Sequence, residues 1–146
     1  MGSLAAGVAV ITARTADGTA MGMTATSVTS LSLDPPLLLV CVDHAAELHE
    51  PIVRAEWFGV QVLAADQREL AVRFSTRGQH RFGGGEPLTP AGLPRLPGAL
   101  ALVDCRRTAL TPGGDHTIVV GRLEWAESHP GEPLVYYHGQ YGRFAP

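Results

Sequence analysis

The sequence predicts a mainly β domain, a barrel or a sandwich, that carries two short helices. Short runs of β-branched and apolar residues recur along the chain with turn residues between them. Only two segments have helical features. The 146 residues, 45% of them hydrophobic, are enough for one core and not for two, so residues 1–146 are expected to form a single domain. A parallel nucleotide-binding sheet and a helical bundle are both disfavoured.

The first predicted strands form a hairpin, with residues 8–15 and 20–26 on either side of a turn at residues 16–19. The segment Asp34-Pro35-Pro36 is a rigid stop, because each proline fixes its own φ and restricts the residue before it. The next strand is expected to begin there. Residues 37–42 are continuously apolar and are expected to be buried on both faces.

Four further strands follow. Residues 58–63 alternate in the manner of a strand, and residues 100–110 and 117–125 flank the turn Pro112-Gly113-Gly114-Asp115 as a second, longer hairpin. Residues 134–137 supply the last predicted strand. The two halves of the chain therefore each contain a hairpin.

The helical segments lie between these strands. Asp66 and Glu69 have the spacing of a capping box, Leu70 and Phe74 then share one helical face, and Gly78 can end the helix. A shorter helix within residues 44–55 is limited to one or two turns by Pro51. Residues 83–98, with three consecutive glycines and four prolines, are expected to form a surface excursion.

Charge and composition exclude several classes of protein. The net charge is −3, so there is no basic field to hold nucleic acid. All 11 basic residues are arginines, which removes Schiff-base chemistry and a phosphate-loop lysine. No apolar run approaches the ~20 residues of a membrane helix. Cys41 and Cys105 have no metal-ligand spacing, the six histidines form no metal-binding pair, and a cytoplasmic protein with two reduced thiols and no metal site is expected.

The first candidate site is a stretch in which six hydroxyl residues fall within the nine positions 24–32. Small hydroxyl side chains offer many hydrogen-bonding groups with little bulk, which suits a flat ligand rich in acceptors or an anionic tail. An edge strand with a Thr- and Ser-rich solvent face would have the same composition. From the residues alone, both interpretations remain open.

The second candidate lies between Phe74 and Phe82, where Arg77, His80 and Arg81 are concentrated. In a chain without lysine, this is the natural place to bind a phosphate group bidentately, with an aromatic ring nearby to cover a ligand ring. A solvated helix end whose cations complement the helix dipole would look the same.

The third candidate is the turn that delivers His116 to the head of an apolar strand. A histidine placed in this way can donate a hydrogen bond to a substrate, although such turns also occur without a function. Residues 136–144 close the chain with an aromatic tail that could lie over a pocket or a subunit seam, or simply form a last strand. The sequence has no GxSxG, GxGxxG or GxxxxGKS motif.

Taken in order, these pieces resemble the flavin reductase family with the FMN-binding split barrel, the NAD(P)H-dependent partners of two-component flavin monooxygenases. The resemblance covers nearly the whole chain and rests on the segments Gly7–Thr12, Gly22–Ser27, Ser30–Leu37, Phe58–Leu63, Leu70–Phe74, Gly114–His116 and Tyr136–Tyr141. The chain departs from the family at Gln61, where asparagine is usual, and at His138 and Gln140, where arginine is usual.

The resemblance implies a homodimer of six-stranded antiparallel split barrels with the flavin near the dimer seam. It implies FMN, or FAD, as the flavin and NAD(P)H as the co-substrate, with reduced flavin passed to a monooxygenase. The runner-up interpretations are an FMN-binding electron carrier that does not oxidise NAD(P)H and a ligand-free β-barrel interaction module.

The resemblance also assigns residues. The flavin ring and ribityl chain would be lined by Thr24, Ala25, Thr26, Ser27, Ser30, Leu31 and Ser32. Asp43 would stand at the rim of the site, and the flavin phosphate would be held by Ser75 and Arg77 with His80 or Arg81, beside Phe82. His116 would face the nicotinamide and Tyr141 would close the pocket.

Overall fold

The computed structural model describes all 146 residues and has ten strands and two short helices. The elements, in chain order, are β1 Ala6–Gly7, β2 Ala9–Arg14, β3 Ala20–Ala25, β4 Val28–Leu33, β5 Pro36–Asp43, α1 His49–Arg54, β6 Trp57–Val62, α2 Arg68–Ser75, β7 Ala101–Gly113, β8 His116–Ser128, β9 Leu134–Tyr137 and β10 Gln140–Arg143. The mainly β class with two short helices is confirmed. Neither helix has the length and apolar character needed to cross a membrane.

The strands form two antiparallel sheets. The larger has seven strands in the order β3-β2-β6-β7-β8-β5-β4, and the smaller has the order β1-β9-β10. β3 and β4 are the two edges of the larger sheet, yet only residues 26 and 27 connect them. Three Cα steps span at most about 11 Å, so the sheet has to curl until its edges are close. No ladder joins those edges, and the curled sheet is open between β3 and β4.

The main core fills the inside of this curled sheet. One cluster of 14 buried residues joins side chains of β2, β3, β5, β6, β7, β8 and α1. Ile11 of β2, Phe58 of β6 and Val40 of β5 belong to it and are fully buried, although β5 lies three strands from β6 and four from β2 in the sheet order. Leu48, just before α1, and Ile52, within it, are also fully buried in this cluster.

A second core lies on the outer side of β2. It joins Val10 with Phe74 of α2 and Leu134 of the smaller sheet. The approach of Phe74 and Phe82 to β3 is so close that a Cβ at Gly22 would lie 3.0–3.1 Å from their rings. The second core thus fixes α2, and the segment after it, against β3.

The excursion at residues 83–98 is held down by buried polar side chains. Gln61 donates from Nε2 to the Pro94 carbonyl (2.8 Å) and accepts from the Leu96 N–H (2.7 Å). Asp104 accepts from the Ala91 N–H at 2.9 Å. Gln61 and Asp104 are 2% and 1% exposed, so their amide and carboxylate replace the water that the loop backbone would otherwise bind.

Three expectations from the sequence are corrected. The count of six strands is not confirmed, because residues 28–33 pair as a separate edge strand and both ends of the chain add a second sheet. The capping box at Asp66 is wrong: α2 follows Gln67, whose amide instead accepts from Ala64 N–H and donates to the Pro97 carbonyl. Residues 37–42 are buried on one face only, since Leu37, Leu39 and Cys41 are half-buried.

Candidate functional site

A cavity of about 340 Å³ lies in a groove between the segment that follows β5 and the segment that follows α2. We name it the Thr24 cavity. Its lining consists of Met23, Thr24, Asp43, Ala45, Ala46, Glu47, Phe74, Ser75, Arg77 and His80. It therefore brings together five residues that the sequence assigned to one site although they lie in separate parts of the chain: Thr24, Asp43, Ser75, Arg77 and His80.

One wall of the Thr24 cavity is a free strand edge. Gly22 N–H donates to the His80 carbonyl (2.7 Å) and Phe82 N–H donates to the Ala20 carbonyl (3.2 Å), so residues 80–82 cover only the first half of β3. Alternate residues of an antiparallel strand direct their N–H and C=O to the same edge. Thr24 lies two residues beyond Gly22, and its backbone N–H and C=O are therefore left open at the cavity.

The Thr24 side chain has a different role from its backbone. Its hydroxyl donates to the Ala71 carbonyl at 2.6 Å, which ties β3 to α2. Ser75 likewise donates its hydroxyl hydrogen to the Val72 carbonyl at 2.8 Å. In this arrangement both hydroxyl oxygens can accept a hydrogen bond, and neither donates one to the cavity.

The cations of the cavity are Arg77 and, when protonated, His80. Arg77 is exposed and makes no hydrogen bond or ion pair within the chain. His80 is 8% exposed, and its Nδ1 lies 3.0 Å from the Gly22 carbonyl. Because a carbonyl only accepts, Nδ1 carries a hydrogen, and Nε2 is the ring nitrogen left for a ligand.

A carboxylate crosses the groove at one end of the Thr24 cavity. Glu47 accepts from the Gly78 N–H at 3.1 Å and so joins the two walls. With Asp43 and Glu47 opposite Arg77, the cavity itself carries more carboxylates than guanidinium groups.

His116 stands at the Asp43 end of the cavity because of strand register. Asp43 pairs with His116 across β5 and β8, and Gly113 pairs with His116 across β7 and β8. The His116 Nδ1 lies 2.6 Å from Asp115 Oδ1, and this hydrogen bond lowers the pKa of the Asp115 carboxyl. The imidazole Nε2 is therefore the nitrogen that His116 can present to a ligand.

This architecture corresponds to a known family. The model of the flavin reductase like domain matches residues 1–145. The chain belongs to this flavin reductase-like family. The match extends over both hairpins, both helices and the smaller sheet, so it covers all of the walls described above.

Named flavin reductases align with almost the whole chain. The chain is 39% identical to the FMN reductase (NADH) SmoA of Agrobacterium fabrum, over 99% of this chain and 83% of that protein. It is 38% identical to the reductase component of the 4-nitrophenol 4-monooxygenase/4-nitrocatechol 2-monooxygenase of Rhodococcus opacus, over 100% of this chain and 78% of that protein. The solved NADH:FAD oxidoreductase SgcE6 of Streptomyces globisporus, in complex with NAD and FAD fragments, superposes with a TM-score of 0.92 at 36% identity, over 99% of this chain and 88% of that chain.

Not all of the predicted site residues of this flavin reductase-like chain meet in the Thr24 cavity. Arg81 lines a separate cavity of about 520 Å³. Phe82 packs on Phe74 with ring centroids 4.9 Å apart and lines another surface pocket. Tyr141 packs on Tyr136 in the smaller sheet, with centroids 5.2 Å apart.

The hydroxyl stretch is also divided. Ala25 is buried in the main core, and Thr26 lines an apolar pocket beside the first residues of the chain. Ser27 donates to the Cys41 carbonyl at 2.9 Å. Ser30, Leu31 and Ser32 lie on the edge strand β4, outside the cavity; Ser30 and Leu31 are exposed and Ser32 is half-buried.

The sequence did not indicate Met23, Ala45, Ala46 or Glu47 as lining residues. The position of Asp43 at the end of β5 could have indicated Ala45, Ala46 and Glu47, because these residues follow it directly in the chain. Gln61, where the chain departs from the family pattern, lies outside the cavity lining and holds the loop backbone at Pro94 and Leu96.

Proposed function

We propose that this protein is an NAD(P)H-dependent flavin reductase that transfers a hydride from the nicotinamide to FMN or FAD and supplies reduced flavin to a partner monooxygenase. The observation that carries the proposal is the Thr24 cavity, which combines a free strand edge with an unpaired arginine and whose lining residue Asp43 pairs with His116 across β5 and β8. The relatives named as NADH-dependent reductases and monooxygenase components support the same function.

The residues present fit a flavin. The edge of the isoalloxazine ring carries both N–H and C=O groups, and the Thr24 backbone offers one acceptor and one donor in the plane of the sheet. Met23 and Phe74 supply apolar surface beside that edge. Arg77 is free to pair with a phosphate, and the Gly78 N–H already donates to one carboxylate, so this segment can bind an anion.

The chain's contribution to the reaction is binding and orientation. When bound, the flavin and the nicotinamide would themselves supply the reactivity for hydride transfer. The Thr24 N–H is the donor available where negative charge develops on the reduced ring. His116 presents Nε2 at the rim, where it can hold the nicotinamide carboxamide. The apolar part of the lining, Met23, Ala45, Ala46 and Phe74, offers surface against which the rings could be oriented.

We further propose that the protein is a homodimer and that a second copy covers the outer face of β5 and β8. That face presents Leu37, Leu39, Cys41, Ile118 and Val120, which are half-buried and belong to neither core cluster. An apolar sheet face of this kind is typical of an interface between subunits. The resemblance gives Tyr141 and Ser30–Ser32 roles at the flavin pocket, yet within one chain these residues lie away from the Thr24 cavity. In the proposed dimer, the second copy would contribute them to the cavity of the first.

The decisive experiment is NADH and NADPH oxidation, followed at 340 nm, with added FMN, FAD or riboflavin. Turnover that depends on flavin is the expected result. A yellow protein inert to both nicotinamides would instead indicate an electron carrier. A colourless protein with no flavin-dependent thermal shift would indicate an interaction module.

A further inference from the structure

The larger cavity of the groove is not used by the function proposed above. We name it the Arg81 cavity; it has a volume of about 520 Å³ and is lined by three arginines, Arg14, Arg54 and Arg81, two carboxylates and four other residues. The volume lies within the range of small-ligand sites. Three arginines against two carboxylates leave one net positive charge at this cavity in a chain whose net charge is −3, which suits an anionic ligand.

The Arg81 cavity continues the line of the Thr24 cavity. Along β3, Thr24 is in the Thr24 cavity, Met21 pairs with Arg81, and Arg14 pairs with Ala20 at the far end. Along the opposite wall, residues 43–47 line the Thr24 cavity and residues 50–55 line the Arg81 cavity. Both walls thus run in the same order from one cavity to the other, with the Glu47 contact to Gly78 between them.

This order gives the groove a direction. His116 is adjacent to Asp43, at the end of the Thr24 cavity remote from Arg81. A flavin held at the Thr24 edge with its phosphate at Arg77 would direct that phosphate away from His116 and toward the Arg81 cavity. FMN would end at this phosphate. FAD carries an adenylate group beyond it, and that group would extend into the Arg81 cavity.

The charged groups of the Arg81 cavity suit the adenylate half of such a dinucleotide. Arg54 has one exposed partner, Glu50, at 3.3 Å, and Arg81 has no hydrogen bond from its guanidinium. Arg14 is already committed, because it donates to the carbonyls of Gly92 and Gly18. The Arg81 guanidinium is thus free, and Arg54, held only by one exposed ion pair, can add a second planar guanidinium group that pairs with phosphate oxygens or stacks on a base.

The carboxylates of the same cavity do not oppose this assignment. Asp17 is held by Thr15 and by the Thr19 N–H, and its pKa falls to about 2, chiefly through the Thr15 hydroxyl. Glu50 is paired with Arg54. As ionised acceptors they match the ribose hydroxyls and the adenine amino group.

We infer that the Arg81 cavity binds the adenylate half of FAD, so that the protein prefers FAD to FMN and uses Arg54 and Arg81 to do so. This inference rests on the proposed function and names the flavin that the site takes. It also reassigns Arg81 from the flavin phosphate of the sequence prediction to the part of the ligand that only the dinucleotide has.

The test is the affinity of the full chain for FAD and for FMN, measured by calorimetry for the wild type and for Arg54→Gln and Arg81→Gln. Each substitution should weaken FAD binding by about fivefold, the effect of one exposed ion pair, and should change FMN binding by less than about twofold. Adenosine 5′-monophosphate should compete with FAD and not with FMN. Arg68→Gln, an exposed arginine at the start of α2, is the matched control and should change neither affinity.

Three results would overturn the inference. One is an affinity for each of the two flavins that neither substitution alters. Another is an equal loss for both flavins, which returns Arg81 to the mononucleotide phosphate. The third is a raised KM for NADH in Arg54→Gln, with FMN as acceptor and an unaltered flavin ratio, which assigns the cavity to the nicotinamide cofactor. Absence of any flavin binding by the wild type would instead overturn the proposed function.

Discussion

At the scale of single residues, the site depends on which atoms remain free after the fold has formed. Thr24 and Ser75 use their hydroxyl hydrogens within the chain, whereas the Thr24 backbone and the Arg77 guanidinium have no partner there. His116 has one nitrogen bound to Asp115 and one left over. The proposed chemistry therefore rests on backbone groups, one arginine and one imidazole nitrogen more than on the hydroxyl side chains that the sequence drew attention to.

Substitution of His116 tests its role at the rim. His116→Ala should lower kcat/KM for NADH about tenfold, or about 1.4 kcal/mol on the transition state, because the nicotinamide loses one orienting contact. The dissociation constant of the flavin should stay nearly the same, since the Thr24 edge is intact. Steady-state kinetics and fluorescence titration measure the two quantities. His129→Ala, which removes an exposed histidine paired with Glu127, is the control. An unchanged kcat/KM for NADH would exclude the role.

The two cysteines should differ in reactivity. Burial, with a smaller effect from Asp104 and Glu124, raises the pKa of the Cys105 thiol to about 12. The thiolate is the reactive form, so at pH 8 the native protein has almost none of it at Cys105. In a Cys41→Ser variant, the one remaining thiol should react with Ellman's reagent only as fast as the protein unfolds, and at once in guanidinium chloride. Rapid labelling of the native variant contradicts this.

At the scale of secondary-structure elements, the hairpins were predictable because their turn chemistry is local. Gly18 and Gly114 adopt φ values of +87° and +69° at the two turns, a region open to glycine at little cost. The start of α2 was not predictable from local pattern, because Gln67 bonds to Pro97, which is 30 residues away. The edge strand β4 was one of two open interpretations, since a Ser- and Thr-rich strand and a Ser- and Thr-rich binding loop have the same composition.

The separation of His80 from Arg81 was also beyond the sequence. The resemblance offered His80 or Arg81 as alternatives at one phosphate, and the sequence did not separate them. The bridge between Met21 and Arg81 shows that this segment is extended beside β3. In an extended chain successive side chains point to opposite faces, and the two residues consequently line different cavities.

The central strands of the curled sheet leave no room at Gly121. A Cβ there would lie 2.5 Å from Phe58 Cζ and 2.7 Å from Cys105 Cβ. Gly121→Ala should therefore lower the free energy of unfolding by about 3 kcal/mol, through displaced core side chains. Urea denaturation gives the value. Gly142→Ala, where no heavy atom lies within 4 Å, is the matched control and should change it by less than about 0.5 kcal/mol. Equal effects at the two sites would contradict the steric explanation.

At the scale of the whole molecule, the sequence led to the fold class and to the family, because its motifs cover nearly the whole chain. It did not indicate which apolar strand faces would be buried by the chain itself. The run at residues 37–42 suggested burial on both faces, and one chain buries only the face of Leu38, Val40 and Val42. The proposed second copy would cover the other face. The continuous apolar run at residues 37–42 would then reflect burial in the dimer and not in the single chain.

The dimer can be tested at the centre of that outer face. Ile118→Asp should shift the protein from dimer to monomer in sedimentation experiments, because burying the introduced carboxylate in an apolar interface is costly. Flavin-dependent NADH oxidation should fall with it. Leu88→Asp changes a leucine that is 54% exposed, in the excursion outside this face, and should alter neither quantity. A wild-type protein that sediments as a monomer would contradict the homodimer.

The open second half of β3 also has a consequence for how the protein behaves in storage. An unpaired strand edge is the part of a β protein that most readily recruits a strand from another molecule and starts aggregation. Residues 80–82 shield only the first half of this edge. In the proposed site the flavin occupies the remainder and acts as a removable cover. Colloidal stability should then follow ligand occupancy, and preparations stripped of flavin should be the first to precipitate.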